Sequence, residues 1–241
     1  MARSVGPEPG ERLRQSRTAP DGAASPQKEI SVHEPPSGVR VSSLKIVLGA
    51  CWLLAMGAAF FGIARYENTS GETGFTPGHW PVDTAAKLDE RQRTLLLFAH
   101  PACPCTRASI EQLNRLLAKT GGKVAAQVWF YAPDPLPRGW SQSDLRRAAT
   151  AIPGVTVHDD FSGEQARRFG AETSGQVVLY DAAGDLIFKG GITASRGHSG
   201  DNAGTRTILA SLKDKPDAYQ QTPVFGCSLL GDCTAAPEPE I

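Results

Sequence analysis

The feature that most constrains this chain is a run of 19 uncharged residues, Ile46 to Ala64 (IVLGACWLLAMGAAFFGIA), bracketed by Lys45 and Arg65. At about 1.5 Å per residue, a helix of that length just spans the roughly 30 Å hydrocarbon layer of a bilayer. A buried core helix would keep a polar face, and this run has none. A cleaved signal peptide is the rival reading, with Gly62 and Ala64 as small residues before the cut. Its apolar stretch would be shorter and closer to the N-terminus. The run is therefore expected to be an uncleaved anchor, a transmembrane helix over 44–65 that holds residues 46–64 in the membrane.

The flanks set a direction. Lys28, Arg40 and Lys45 precede the run, whereas Arg65 is followed by Glu67, Glu72 and Asp83. The positive-inside bias then leaves residues 1–43 in the cytoplasm and exports 66–241. In a bacterium this is a single-pass inner-membrane protein with a periplasmic domain. Residues 1–43 are rich in Pro, Gly, Ser and charge and lack aliphatic periodicity. They cannot bury enough apolar surface to offset their ordering entropy, so a disordered tail is expected. Lys+Arg and Asp+Glu are 25 each, which leaves no electrostatic drive toward nucleic acid.

The exported part divides into a lead-in over 66–93, a domain over 94–215 and a cysteine-containing tail over 216–241. In the domain, Thr94–Ala99 is a continuous apolar run of the kind found in a strand covered on both faces. A helix follows over 106–119, with Ile110, Leu113, Leu116 and Leu117 on one face and Gly121-Gly122 as its stop. Strands are expected at 123–131 and 155–158. Helices are expected at 141–151, where Ser141 and Asp144 have capping-box spacing, and at 164–169. Strands 176–180 and 186–189 flank Asp181-Ala-Ala-Gly-Asp185, a hairpin signal, and a last helix covers 203–213. The order β-α-β-α-β-α-β-β-α predicts an α/β fold, one mixed sheet flanked by helices.

Chemistry concentrates at the turn after the first strand, His100-Pro101-Ala102-Cys103-Pro104-Cys105. Thiolate is the reactive form of cysteine, and a helix N-terminus favours it because the backbone dipoles point toward negative charge. His100 and Arg107 could add positive charge. A disulfide across one intervening residue closes a tight ring, so such a bond is expected to be labile and oxidising rather than structural. The rival chemistry is metal binding. Two thiolates in a CxC are soft ligands for copper(I) or zinc, with His100, His198, Cys227 or Cys233 available to complete the shell. A third reading is a redox-inert interaction domain.

Two further segments bear on the site. The loop Gly190–Gly204 is long for a plain connection and carries Arg196, His198, Asp201 and Asn202. His198 is a candidate proton donor or acceptor for the thiols, and the plainer reading has Asp201 or Asn202 capping the last helix. Cys227 and Cys233 read as a structural disulfide closing the tail. The sharper reading folds the tail back to exchange electrons with Cys103–Cys105. Cys51, within the apolar run, is a small hydrophobe, and His79 and His158 read as structural.

Strand, Cys103-Pro104-Cys105, helix, and the closing hairpin Gln176–Asp181 with Leu186–Gly191 together resemble the thioredoxin-like superfamily, in particular its membrane-anchored periplasmic thiol-disulfide oxidoreductases. The HPxCPC and GGIT…RGH…GDNAG stretches resemble a bacterial group labelled RedB. The resemblance covers roughly residues 90–215. It implies that Cys103, five residues after Phe98, attacks and Cys105 resolves. It also implies that the partner is a protein thiol or disulfide and that no cofactor is needed. Two departures stand out: the motif is one residue shorter than CxxC, and no proline lies near Ser174-Gly175-Gln176, where the family carries a cis-proline.

Overall fold

The structure, a computed structural model, describes residues 42–137, 139–213 and 220–230. The tail expected over 1–43 lies outside the described residues except for its last two, and Cys233 lies outside them as well. Helix α1, Ser43–Asn68, has no buried residue. Among the described residues it is the helix long and apolar enough to cross a membrane. It outlasts the expected span at its C-terminal end because side chains there satisfy carbonyls that a helix end leaves open. Asn68 Nδ2 donates to the Ala64 carbonyl at 2.8 Å, and Thr69 Oγ1 donates to that of Arg65 at 2.6 Å.

Six strands form one sheet: β1 Arg93–Ala99, β2 Val124–Ala132, β3 Val155–Phe161, β4 Gln176–Tyr180, β5 Leu186–Gly191 and β6 Gln220–Gln221, in the order β3-β2-β1-β4-β5-β6. β1, β2 and β3 are parallel, and β4 is antiparallel to both β1 and β5. The sheet is therefore mixed, as the order of elements predicts. Helices α2 Thr106–Thr120, α3 Asp144–Thr150, α4 Glu164–Arg168 and α5 Ala203–Ser211 flank it.

The apolar run in β1 is central and buried on both faces, as its composition demands. Leu95, Leu97 and Ala99 pack with Ile110, Leu113 and Leu116 of α2, Leu145 of α3 and Ile208 of α5. Leu96 and Phe98 point the other way, toward Trp129, Ala166, Phe169 and Tyr180. The lead-in helps to cover this second face. Trp80 meets Phe169 and Tyr180 edge-on at 5.1 and 5.2 Å, and Ala86 is buried in the same cluster. The Tyr180 hydroxyl donates to the Pro77 carbonyl at 2.8 Å.

Several elements differ from expectation. Helix α3 begins later, because Ser143 and not Ser141 is its cap: Ser143 Oγ accepts from the Arg146 amide at 3.2 Å. β3 runs on through Asp159 and Asp160, which pair with Phe130 and Tyr131. Asp160 can sit buried in a strand because its carboxylate accepts from the Gln165 and Ala166 amides at 2.7 and 2.9 Å. The tail is not separate from the domain. Residues 220–221 add β6 beside β5, and the chain through Leu230 packs back on the sheet. His79 is exposed beside Asp185, and His158 stacks on Trp129 at 4.5 Å.

Phe169 is fully buried and touches rings from the lead-in, β1 and β4. Phe169→Ala is expected to cost about 3–5 kcal/mol, read as a lower urea midpoint by tryptophan fluorescence. An unchanged midpoint would mean that the lead-in does not close this face.

Candidate functional site

The turn between β1 and α2 is wound before the helix proper begins. The Cys103 amide donates to the His100 carbonyl at 3.1 Å, and the Cys103 carbonyl accepts from the Thr106 amide at 3.1 Å. Cys105 is the N-cap of α2. Both thiols therefore sit at the N-terminal end of a 15-residue helix, where backbone amides favour negative charge. Cys103 is fully buried and Cys105 is 9% exposed.

Ser174-Gly175 occupies the position where a cis-proline was missed. Gly175 has φ 94°, a region that favours glycine, and its amide donates to the Phe98 carbonyl at 2.7 Å. That turn aims Ser174 Oγ at the site. It accepts from the His100 amide at 2.8 Å and shares a hydrogen bond with Thr106 Oγ1 at 2.6 Å.

The tail then supplies a third cysteine. The Ser174 amide donates to the Cys227 carbonyl at 2.9 Å, and the Leu229 amide donates to the Glu172 carbonyl at 2.7 Å. Together with the antiparallel bridge between Thr173 and Ser228, these contacts lay residues 227–229 along 172–174. Gly226 is needed for the approach, since a Cβ there would fall 1.9 Å from the Ser174 carbonyl oxygen. As a result Cys227 Sγ lies 3.1 Å from Cys103 Sγ. The sulfurs of Cys103, Cys105 and Cys227 all lie within 4.8 Å of one another, close enough to share one soft metal ion. All three cysteines are free thiols. The partner expected for Cys227, Cys233, lies outside the described residues.

The electrostatics favour one thiolate. Cys103 is held far below the ordinary thiol range by hydrogen bonds donated by the thiols of Cys105 and Cys227, with Thr106 and the Cys227 amide assisting against desolvation. Its two donors are pushed up. Cys105 is raised chiefly by its hydrogen bond to Cys103, with the positive charge of Arg196 opposing. Cys227 is raised by hydrogen bonds to Cys103 and then Cys105.

The four supporting residues expected from the sequence have different surroundings. His100 is buried, stacks on Tyr131 at 5.6 Å and accepts from the Ala102 amide at Nδ1. Burial lowers its pKa, with the neighbouring Cys103 opposing. Arg107 is exposed. Arg196 holds the tail: its guanidinium donates to the Gly226 carbonyl and lies over the Tyr66 ring at 4.9 Å. His198 is exposed, with Nδ1 2.8 Å from the Arg196 carbonyl oxygen. The 190–204 loop docks on α2 through Gly200 and Gln112 at 3.1 Å, and Asn202 caps α5 by accepting from the Thr205 amide at 2.8 Å. Ser174, Gly175 and Gly226 carry no chemical signature in sequence, so spacing alone could not reveal them.

The sequence matches no protein-family profile and no curated protein. Among solved structures, the chain is similar to a hypothetical protein from Sinorhizobium meliloti, at 21% identity over 68% of this chain and 97% of that one, with a TM-score of 0.48. An uncharacterized conserved protein from Geobacillus kaustophilus is similar at 17% identity over 70% and 95%, with a TM-score of 0.48. A secreted Mycobacterium tuberculosis disulfide oxidoreductase homologous to E. coli DsbE is similar at 16% identity over 52% and 83%, with a TM-score of 0.37.

The reduced protein is expected to retain one thiolate through mildly acidic pH, seen by ultraviolet thiolate absorbance and lost in Cys103→Ser. Removing a donor destabilises the charged form, so Cys227→Ala should move that titration to higher pH. A titration unmoved by Cys227→Ala would show that the tail thiol does not support the thiolate.

Proposed function

We propose that this chain is a membrane-anchored, extracytoplasmic thiol–disulfide exchange protein acting through Cys103-Pro104-Cys105, with Cys103 as nucleophile and Cys105 as resolving thiol. The observation that carries the reading is the thiolate environment of Cys103, at a helix N-terminus with thiol donors around it. Such surroundings shift the sulfur toward the thiolate, the state that attacks a disulfide. The partner is a protein thiol or disulfide, met outside the membrane that α1 crosses. The N-terminus lies on the cytoplasmic side and the domain in the bacterial periplasm. The resemblance of the HPxCPC and GGIT…RGH…GDNAG stretches to the RedB-labelled group belongs to the same reading.

The test is to equilibrate the full chain, in detergent, with glutathione buffers of graded redox ratio, then alkylate and map each cysteine by mass spectrometry. Reversible two-electron interconversion, abolished in Cys103→Ser, is the expected result. The three clustered sulfurs also suit copper(I) or zinc. Thiols that stay shielded from alkylation until a chelator is added, with about one metal per chain, would replace exchange by metal handling. A chain that keeps its partner interactions in both Cys103→Ser and Cys105→Ser would instead be a redox-inert interaction domain.

Anchoring has its own expected outcome. The chain should stay with the membrane pellet after an alkaline wash, and deleting residues 46–64 should release it. Recovery of the intact chain in the wash would exclude a spanning helix.

A further inference from the structure

The exchange reading leaves an access problem, because the thiolate it depends on is fully buried. Cys227, whose sulfur lies 3.1 Å from that of Cys103, is half-buried and lines a cavity of about 910 Å³. Arg167, Arg168, Arg196, Glu72 and Glu172 also line that cavity, and Cys227 is the cysteine among its lining residues. The tail that brings Cys227 there is held along its length. The Gly71 amide donates to the Val224 carbonyl at 2.8 Å, the Gly191 amide to the Pro223 carbonyl at 3.1 Å, and the Ser174 amide to the Cys227 carbonyl at 2.9 Å.

Cys227 reaches Cys103 from a different element, the tail laid along residues 172–174. Its 3.1 Å separation from Cys103 is about 1 Å longer than a disulfide bond of about 2.05 Å.

We propose that Cys227 is a third redox-active cysteine, which exchanges with the partner at the cavity and relays to Cys103 through a transient Cys103–Cys227 disulfide that Cys105 resolves. This rests on the exchange reading above. Against a partner disulfide R–S–S–R′, Cys227 Sγ attacks: the Cys227–SR bond forms, the S–S bond of the partner breaks, and the leaving R′S⁻ takes the Cys227 proton. The Cys103 thiolate then attacks Cys227 Sγ, forming Cys103–Cys227 and expelling RS⁻, which is protonated by Cys105. The Cys105 thiolate attacks Cys103 Sγ, leaving Cys103–Cys105 and a Cys227 thiolate. Two electrons pass from Cys103 and Cys105 to the partner, which leaves as two thiols. A dithiol partner runs the same steps in reverse.

The test uses the full chain in detergent and glutathione disulfide as the probe, with acid quench, alkylation and disulfide mapping. Cys105→Ser should accumulate Cys103–Cys227. Cys227→Ser should oxidise its Cys103–Cys105 pair about a hundredfold more slowly than the unsubstituted chain, because the positioned relay sulfur is gone. Oxidation of Cys227→Ser at the unsubstituted rate overturns the relay while leaving exchange intact. So does Cys105→Ser that forms Cys227–Cys233, or no internal disulfide at all. If the unsubstituted chain itself never interconverts, exchange and relay fall together.

Discussion

Ser174 is the pin on which the site turns. Fully buried, it receives the His100 amide where β1 ends, shares a hydrogen bond with Thr106 where α2 begins, and donates its own amide to the Cys227 carbonyl. A buried hydroxyl and amide cannot be left unpaired without cost. Satisfying them here fixes the strand end, the helix start and the tail relative to one another. The three sulfurs converge because those three pieces of backbone do. Gly175 permits the turn that presents Ser174, and Gly226 permits the tail to reach it.

That convergence also explains how the protein's own groups favour negative charge at the site. His100 is buried where charging it is unfavourable, and Arg107 points to solvent. The work falls to the start of α2 and to the protons of neighbouring thiols, whose own ionisation is suppressed by the same hydrogen bonds. Arg196 contributes from the side, chiefly by holding the Gly226 carbonyl and so the position of the tail.

Much of the scaffold was legible from sequence because its signals are local. The apolar run of β1, the 3.6-residue periodicity of α2 and the turn Asp181–Asp185 each act within a dozen residues. The boundaries that shifted are those decided by tertiary partners. Asp159 and Asp160 look like a turn until Phe130 and Tyr131 pair with them, and Ser141 looks like a cap until Ser143 accepts the Arg146 amide. The site was half legible. Cys103-Pro104-Cys105 announces itself by spacing, but Cys227 lies 124 residues away along the chain. Only the fold brings it near, with Arg196 of the 190–204 loop holding the Gly226 carbonyl beside it.

Among the described residues three sulfurs lie within 4.8 Å of one another, and the odd number has a consequence. A two-cysteine centre that closes a bridge has no sulfhydryl left and waits for an outside molecule to reopen it. A centre of three always keeps one in reserve, within reach of whichever pair is bonded, and neighbours held so close react as though at very high concentration. A bridge between any two of these three sulfurs leaves the third free to attack it.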